Sequence, residues 1–370
     1  MTKSNYTKQR VALVTDSLWK IAGAEKVLLS FLEIFPDADV FALFGKMGIL
    51  SEKLKEKEIH FSFLNKIPFI KHIYRYTFHL WPIAIEQFDF SNYDLVISNT
   101  SSVAHGVITP LGCKHVVYVN SPMRYAWDLS FLYTKIVRFG FLKRCIKEVF
   151  VNFNRIWDVV AAQRADVLIT NSKFVKKRVE KYWGRSVDYV VTPPVELYEG
   201  EIKRKRGEYF FAGSPYEPNK RGDFLFECAS KLGFNLKVIG NGSMKKKLKR
   251  KYRKFKNIEV LDWVSDEEKW NLISNAKGCI VPGIEDYGIF CAEAISCGTP
   301  VLAYGYGGST EIVKENISGM FFDKWELESF KKALGDFESR NWNYQKVRRS
   351  LRDINNKKEF KEKIKKCLVE

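Results

Sequence analysis

The chain has 370 residues, 46% hydrophobic and 28% charged, which excludes a disordered or fibrous polymer and predicts two domains, each able to bury a core. A formal charge of +18 favours anionic partners such as nucleotides, phosphorylated lipids, a membrane surface or nucleic acid, while exposed lysines also serve solubility alone. Seven scattered cysteines without a Cys-x-x-Cys pair, and five histidines confined to the first third, argue against zinc and for a reduced, cytoplasmic setting.

In chain order, the polar start MTKSNYTKQR has no signal-peptide pattern, and no apolar run reaches the ~20 residues of a membrane span. RVALVTD then reads as a first buried strand ending at Asp16, followed by a loop with Ala22 and Gly23 and a helix over AEKVLLSFLEIF. Asp37-Ala38-Asp39 reads as a turn before the next strand and is assigned no metal. Strand, loop and helix recur at DVFALF, YDLVISN, KHVVYVN and ADVLITNS, the last followed by the basic helix KFVKKRVEKYW. This alternation predicts a parallel α/β sheet.

Thr192-Pro193-Pro194-Val195 breaks the pattern, and a polar stretch follows. The alternation restarts at YFFAGS and continues through LKVIG, IEVLDWV, GCIVPG and PVLAYG. The expected division is therefore 1–195, 196–340 and a helical segment 341–370 that packs back across the junction. Two Rossmann-like α/β domains in series predict a cleft lined by loops at the carboxyl ends of strands.

Within GIEDYGIFCAEAISCGTPVLAYGYGG, Glu285 falls in a loop and Glu293 on a short buried helix, with seven residues between them. A rise of ~1.5 Å per residue places the two acids about 12 Å or less apart, a span for one elongated polar ligand. Two other stretches stand out. Ile59 to Phe90 is aromatic and basic, and Phe131 to Trp157 carries Leu132, Ile136, Phe139, Ile146, Val149 and Phe153 at helical spacing among Lys135, Arg138, Lys143, Arg144 and Lys147. Two readings stand for them: a core-facing helix with solvated lysines, or a surface that meets an anionic membrane.

Several runs in order resemble a family-4 retaining glycosyltransferase with the glycosyltransferase-B fold: AGAEKVLLSFLEIFPDADVF, AIEQFDF, SPMRYAWD, RIWDVVAAQRADVLITNSKFV, PNKRGDF and the acidic pair with CGTPVLAYGYGGSTEIV. SPMRYAWD and AIEQFDF resemble a bacterial and archaeal subgroup of mannosyltransferases of polysaccharide assembly. The resemblance implies metal-independent transfer of a hexose, mannose-like, from a nucleotide-sugar donor (a GDP-sugar favoured) to a lipid-linked or polysaccharide acceptor. The donor is a substrate, and no cofactor is implied. The setting implied is cytoplasmic, at or near the inner face of a membrane.

By the resemblance Glu293 binds the ribose hydroxyls and Glu285 the transferred sugar. Lys220 and Arg221 offset charge on the leaving diphosphate, joined by backbone N–H groups at Gly288 and Ile289, which open a helix. Gly23 lets backbone approach the donor. Asp16, Arg124 and Asp128 are candidates for the cleft or the acceptor. Two positions depart from the family pattern: Asn120 stands where a His is usual, and Pro215 where an Arg is usual. Asn cannot act as a base but can hydrogen-bond a sugar. The competing readings are the same fold with altered or lost catalysis, a nucleic-acid binder using the basic run MKKKLKRKYRKFKNI, and a nicotinamide-dependent dehydrogenase. The last lacks a Gly-x-Gly-x-x-Gly after the first strand.

Overall fold

A computed structural model describes residues 9–46, 57–131, 141–262, 264–351 and 354–369. The chain forms two compact units, one of Met1–Pro194 with Lys357–Glu370 and one of Val195–Asn356.

Unit 1 holds strands β1 (Val11–Leu18), β2 (Asp39–Gly45), β3 (Ile59–Phe61), β4 (Leu95–Thr100), β5 (Lys114–Val119), β6 (Val167–Thr170) and β7 (Tyr189–Val190). All pair parallel in the order β3-β2-β1-β4-β5-β6-β7. The central strands are continuous apolar runs because both sheet faces are covered. Its helices are α1 (Gly23–Ile34), α2 (Ile70–Ile73), α3 (Trp81–Glu86), α4 (Phe141–Ala162) and α5 (Lys173–Trp183). Ser172 caps α5 by accepting the Val175 N–H at 3.0 Å, and Gly184 ends the helix at φ 63°, a left-handed turn that glycine adopts without strain.

Unit 2 holds β8 (Phe210–Gly213), β9 (Leu236–Ile239), β10 (Ile258–Val260), β11 (Gly278–Val281), β12 (Val301–Tyr304) and β13 (Gly319–Phe322). These also pair parallel, in the order β10-β9-β8-β11-β12-β13. Helices α6 (Gly222–Leu232), α7 (Lys245–Tyr252), α8 (Asp266–Asn275), α9 (Ile289–Ser296), α10 (Ser309–Ile312), α11 (Leu327–Ser339) and α12 (Tyr344–Arg349) cover it. The last helix, α13 (Lys357–Val369), returns to unit 1. Its Phe360 packs edge-on against Phe31 of α1 and Tyr118 of β5, and Lys361 pairs with Glu33.

One expectation changes in detail. β1 runs on to Leu18, so Asp16 lies inside the strand rather than at its end. The helix expected from Phe131 is α4, which begins at Phe141 among the described residues; Leu132, Lys135, Ile136, Arg138 and Phe139 lie outside them. The basic run after Gly242 is α7, which buries Leu248 and Tyr252 and turns Lys245 and Lys249 to Asp262. Asp37 sits in the turn before β2, where Asp39 accepts the Tyr93 hydroxyl at 2.7 Å.

Candidate active site

In each sheet the strand order reverses once, between β1 and β4 in unit 1 and between β8 and β11 in unit 2. Loops leaving the carboxyl ends of strands at such a reversal diverge and leave room for a ligand. Lys220 and Arg221 fall on the loop after β8 and Glu285 on the loop after β11, while Gly23 opens the helix after β1; Asn120, Arg124 and Asp128 follow β5, Asp16 lies within β1 and Glu293 on α9.

In unit 2 the loop after β8 ends in a single tight turn, Pro218–Lys220, and the loop after β11 runs from Pro282 to Gly288. The two loops are tied together by the Ile284 N–H, which donates to the Asn219 carbonyl at 3.0 Å. Only glycine fits at position 283, because a Cβ there would collide with the Asn219 carbonyl and the Lys220 Cα. This close approach brings the Lys220 ammonium onto the Glu285 carboxylate, in a pair whose side chains are 32% and 15% exposed. The loop after β12 closes the same point: the Gly308 N–H donates to the Glu285 carbonyl at 2.7 Å. Gly307, at φ 108°, has its Cα hydrogens against the Glu285 backbone.

Gly288, at φ 101°, then opens α9. The first N–H groups of a helix have no intrahelical acceptor, so Ile289 and its neighbours present donors beside the Lys220–Glu285 pair. Farther along α9, Glu293 is buried and accepts from Lys269 of α8 at 3.1 Å. Lys269 in turn lies over the Trp270 ring at 4.3 Å. Sequence reasoning missed Lys269; its one local signal is a lone lysine in the acidic opening DEEKW.

Arg221 takes a different direction from Lys220. It adopts φ 51° at the end of the tight turn, and its guanidinium lies over Trp325 at 4.3 Å and against Asp223 at 3.2 Å. Trp325 itself donates to the Pro282 carbonyl at 2.8 Å and stacks on Tyr304. Arg221 therefore braces the rim of the β11 loop. Pro215 is buried with its carbonyl pressed toward Gly222, where any Cβ would clash.

In unit 1 the same sheet ends carry amides. Asn99, Asn120 and Asn171 end or follow β4, β5 and β6. Asn99 donates to the Ala24 carbonyl at 2.7 Å, which fixes the start of α1 beside Gly23. The Asn120 amide donates to Asn99 Oδ1 at 2.7 Å and to the Thr100 carbonyl at 3.2 Å. With both amide hydrogens engaged, its Oδ1 is the atom left to accept from a hydroxyl. Asn171 holds the Asn120 carbonyl at 3.0 Å.

Asp16 is committed to building this end of the sheet. Its carboxylate accepts N–H groups from Ser101, Val103 at 2.7 Å and Ala104 at 2.8 Å. Burial pushes its carboxyl above the usual range, and that effect exceeds the pull of the three N–H bonds. Asp128 plays a similar part. Arg178, itself buried, grips its two oxygens at 2.8 and 3.0 Å and also donates to Ser121 Oγ at 2.9 Å, so one guanidinium pins both ends of the SPMRYAWD loop. Trp127 of that loop donates to the buried Asp158 at 2.7 Å. Arg124, on the same loop, is half-buried and partnered within the chain.

Among the described residues no group of three His, Cys, Asp or Glu side chains is arranged to hold a metal, and no helix is long and apolar enough to cross a membrane.

Residues 199–368 match the family described as Glycosyl transferases group 1. An uncharacterized glycosyltransferase, MJ1178 of Methanocaldococcus jannaschii, is 27% identical over 220 residues. That match spans 56% of this chain and 59% of the relative, so the chain spans about three fifths of the curated relative it matches. The fold extends along the whole chain: HepE of Anabaena, solved in complex with UDP, superposes with a TM-score of 0.68 at 15% identity, over 97% of this chain and 99% of that one. Sucrose-phosphate synthase from Thermosynechococcus elongatus gives 0.68 at 14% identity, over 98% of each chain. The chain thus has two parallel-sheet Rossmann-like halves of the glycosyltransferase-B fold, and its residues 199–368 carry the signature of the group 1 glycosyl transferases.

Proposed function

We propose that the protein is a retaining, metal-independent glycosyltransferase that moves a hexose from a nucleoside-diphosphate sugar to a lipid-linked or polysaccharide acceptor. The observation that carries this reading is the Lys220–Glu285 pair, held at the strand-order reversal of unit 2 beside the opening of α9. As the glycosidic bond breaks, negative charge grows on the leaving diphosphate. A fixed ammonium and oriented N–H groups stabilise that charge more than they stabilise the intact donor, which is the requirement for rate enhancement.

Glu285, anchored through its backbone by Gly308, orients the Lys220 ammonium and is placed to accept from a sugar hydroxyl. Glu293 accepts from the ribose hydroxyls, with Lys269 fixing its rotamer. Asn120 offers Oδ1 to a hydroxyl and takes no proton, so the acceptor's proton passes to an oxygen of the leaving diphosphate. GDP is the favoured nucleotide and mannose the favoured sugar, by resemblance of SPMRYAWD and AIEQFDF to the mannosyltransferase subgroup; UDP is the alternative suggested by the likeness to HepE. The setting is the cytoplasmic face of a membrane.

Thermal unfolding with GDP, UDP, ADP and NAD tests the reading. One nucleoside diphosphate at about 100 times its dissociation constant adds ~2.7 kcal/mol to the stability of the unit that binds it. No response to any diphosphate, or a response to NAD alone, overturns it.

A further inference from the structure

The outer edge of the unit 1 sheet carries an open groove of about 580 Å³, within the ~300–1,000 Å³ typical of ligand pockets. Phe41 of β2 is its buried floor. Phe41 pairs in register with His60 of β3, so the two rings stand on one face of the sheet, stacked at 4.6 Å and 25°. Phe88 meets Phe41 edge-on at 5.2 Å. The rim is Arg10, just before β1, with Gln87, Asp89 and Asn92 in the turn between α3 and β4. These positions belong to the amino ends of the strands. Asn99, at the candidate active site, lies four residues beyond the start of β4, about 13 Å along the strand at ~3.3 Å per residue.

The fold answers the charges of this groove and leaves its amides unused. The Arg10 guanidinium lies over the Tyr93 ring at 4.9 Å and 3.9 Å from Asp39, whose same oxygen accepts the Tyr93 hydroxyl at 2.7 Å. Asp89 accepts the Ser91 N–H at 2.8 Å. Gln87 and Asn92, by contrast, are exposed, and among the described residues their side-chain amides have no hydrogen-bond partner. The His60 ring is half-buried, covered by Phe41 on one face.

We propose that this groove is a second binding site, for a neutral glycan, with a pyranose ring against His60 and Phe88 and its hydroxyls on Gln87, Asn92 and Asp89. A pyranose has one face of C–H bonds, which settles on an aromatic ring, and an edge of neighbouring hydroxyls. Each hydroxyl both donates and accepts, the pairing that planar amides and carboxylates offer. Charge excludes the main competitors. Although the chain carries +18, the one cation lining the groove among the described residues is already held by Asp39 and Tyr93, and the Asp89 carboxylate stands on the rim, which disfavours a phosphate or a polyanion. A purely apolar ligand would desolvate the two amides without replacing their bonds to water. An open groove, unlike an enclosed cavity, suits an internal ring of a longer chain.

The test is a ligand-observed NMR titration of the full chain, without nucleotide or donor, using α-linked mannotetraose, maltotetraose and cellotetraose as probes. At least one binds with a Kd of about 1 mM or tighter. Gln87→Ala with Asn92→Ala removes two amides that the fold does not use, and weakens binding about tenfold or more at unchanged melting temperature. His60→Ala weakens it as well by taking away the stacking ring. Asn120→Ala, at the other end of the same sheet, leaves it unchanged. No binding of any of the three probes overturns the proposal. So does binding that Asn120→Ala abolishes and the amide pair leaves intact, which assigns the glycan to the strand carboxyl ends. With no donor present, failure of this site leaves the reading of sugar transfer standing, and a failed nucleotide response leaves the groove standing.

Discussion

The two sheets share one strand order but treat their carboxyl ends in opposite ways. In unit 2 the reversal point gathers charges on side chains: Lys220 against Glu285, and Lys269 against Glu293. In unit 1 the carboxylates are turned inward, Asp16 to three backbone N–H groups and Asp128 to Arg178, and the strand ends carry the amides of Asn99, Asn120 and Asn171. On the proposed reading, the difference sets the same scaffold for two kinds of ligand chemistry. A charged end suits a diphosphate and its counter-hydroxyls; a neutral, hydrogen-bonding end suits sugar hydroxyls.

Removing the ammonium of unit 2 breaks the comparison most severely. Lys220→Ala lowers the turnover of sugar transfer about 10²–10³-fold, the usual effect of deleting a donor aimed at developing charge. Turnover within a few-fold of the parent would remove Lys220 from the diphosphate. The counterpart in unit 1 is Asp16→Ala, which acts on stability. Three N–H groups lose their acceptor, at a cost of ~3 kcal/mol, read as a shift in urea unfolding with the nucleotide response of unit 2 unchanged. A variant as stable as the parent would show that the loop from Ser101 to Ala104 needs no carboxylate.

A subtler break is Gly283→Ala, which forces the β8 and β11 loops apart. It costs ~1–3 kcal/mol in unit 2 and weakens nucleoside-diphosphate binding, measured by titration calorimetry. Unchanged affinity would mean that the close approach does not position Lys220.

The effect that is smallest near neutral pH sharpens the neutral character of unit 1. His115 is buried in β5 with its Nε2 2.9 Å from Ser98 Oγ, and burial pushes its pKa from 6.5 down to about 3. The unfolded chain takes up this proton below pH 6.5 while the folded chain refuses it until about pH 3. Stability is therefore fully present above 6.5 and falls as pH drops, by ~1.4 kcal/mol per pH unit for this group. His115→Gln flattens that acid slope; an unchanged slope would assign it elsewhere.

Much of this was legible in the sequence, for a local reason. Buried parallel strands are short apolar runs, so VALV, LVIS, VVYV and GCIV announce themselves. Glu285 and Glu293 are close in the chain, and the Gly-rich loop around them is visible as composition. What escaped the sequence are partners distant along it. Lys269 reaches Glu293 from another helix, Arg178 reaches Asp128 across fifty residues, and Asp16 turns to a loop after β4. The different destinations of Lys220 and Arg221 were hidden because they depend on one backbone angle, the φ of 51° at Arg221, and on a tryptophan about a hundred positions later.

The return of α13 to unit 1 sets the order in which the protein is completed during synthesis. Phe360, Ile364, Cys367 and Leu368 belong to the same apolar cluster as Leu13, Phe31 and Tyr118. A ribosome that has made the first 194 residues has therefore not yet supplied part of the interior of unit 1. Unit 2, contiguous in the chain from Val195 to Asn356, has its whole sequence available earlier than the unit that precedes it. The nascent N-terminal half waits with an open apolar face until the last helix emerges, which is the interval in which a chaperone would find it.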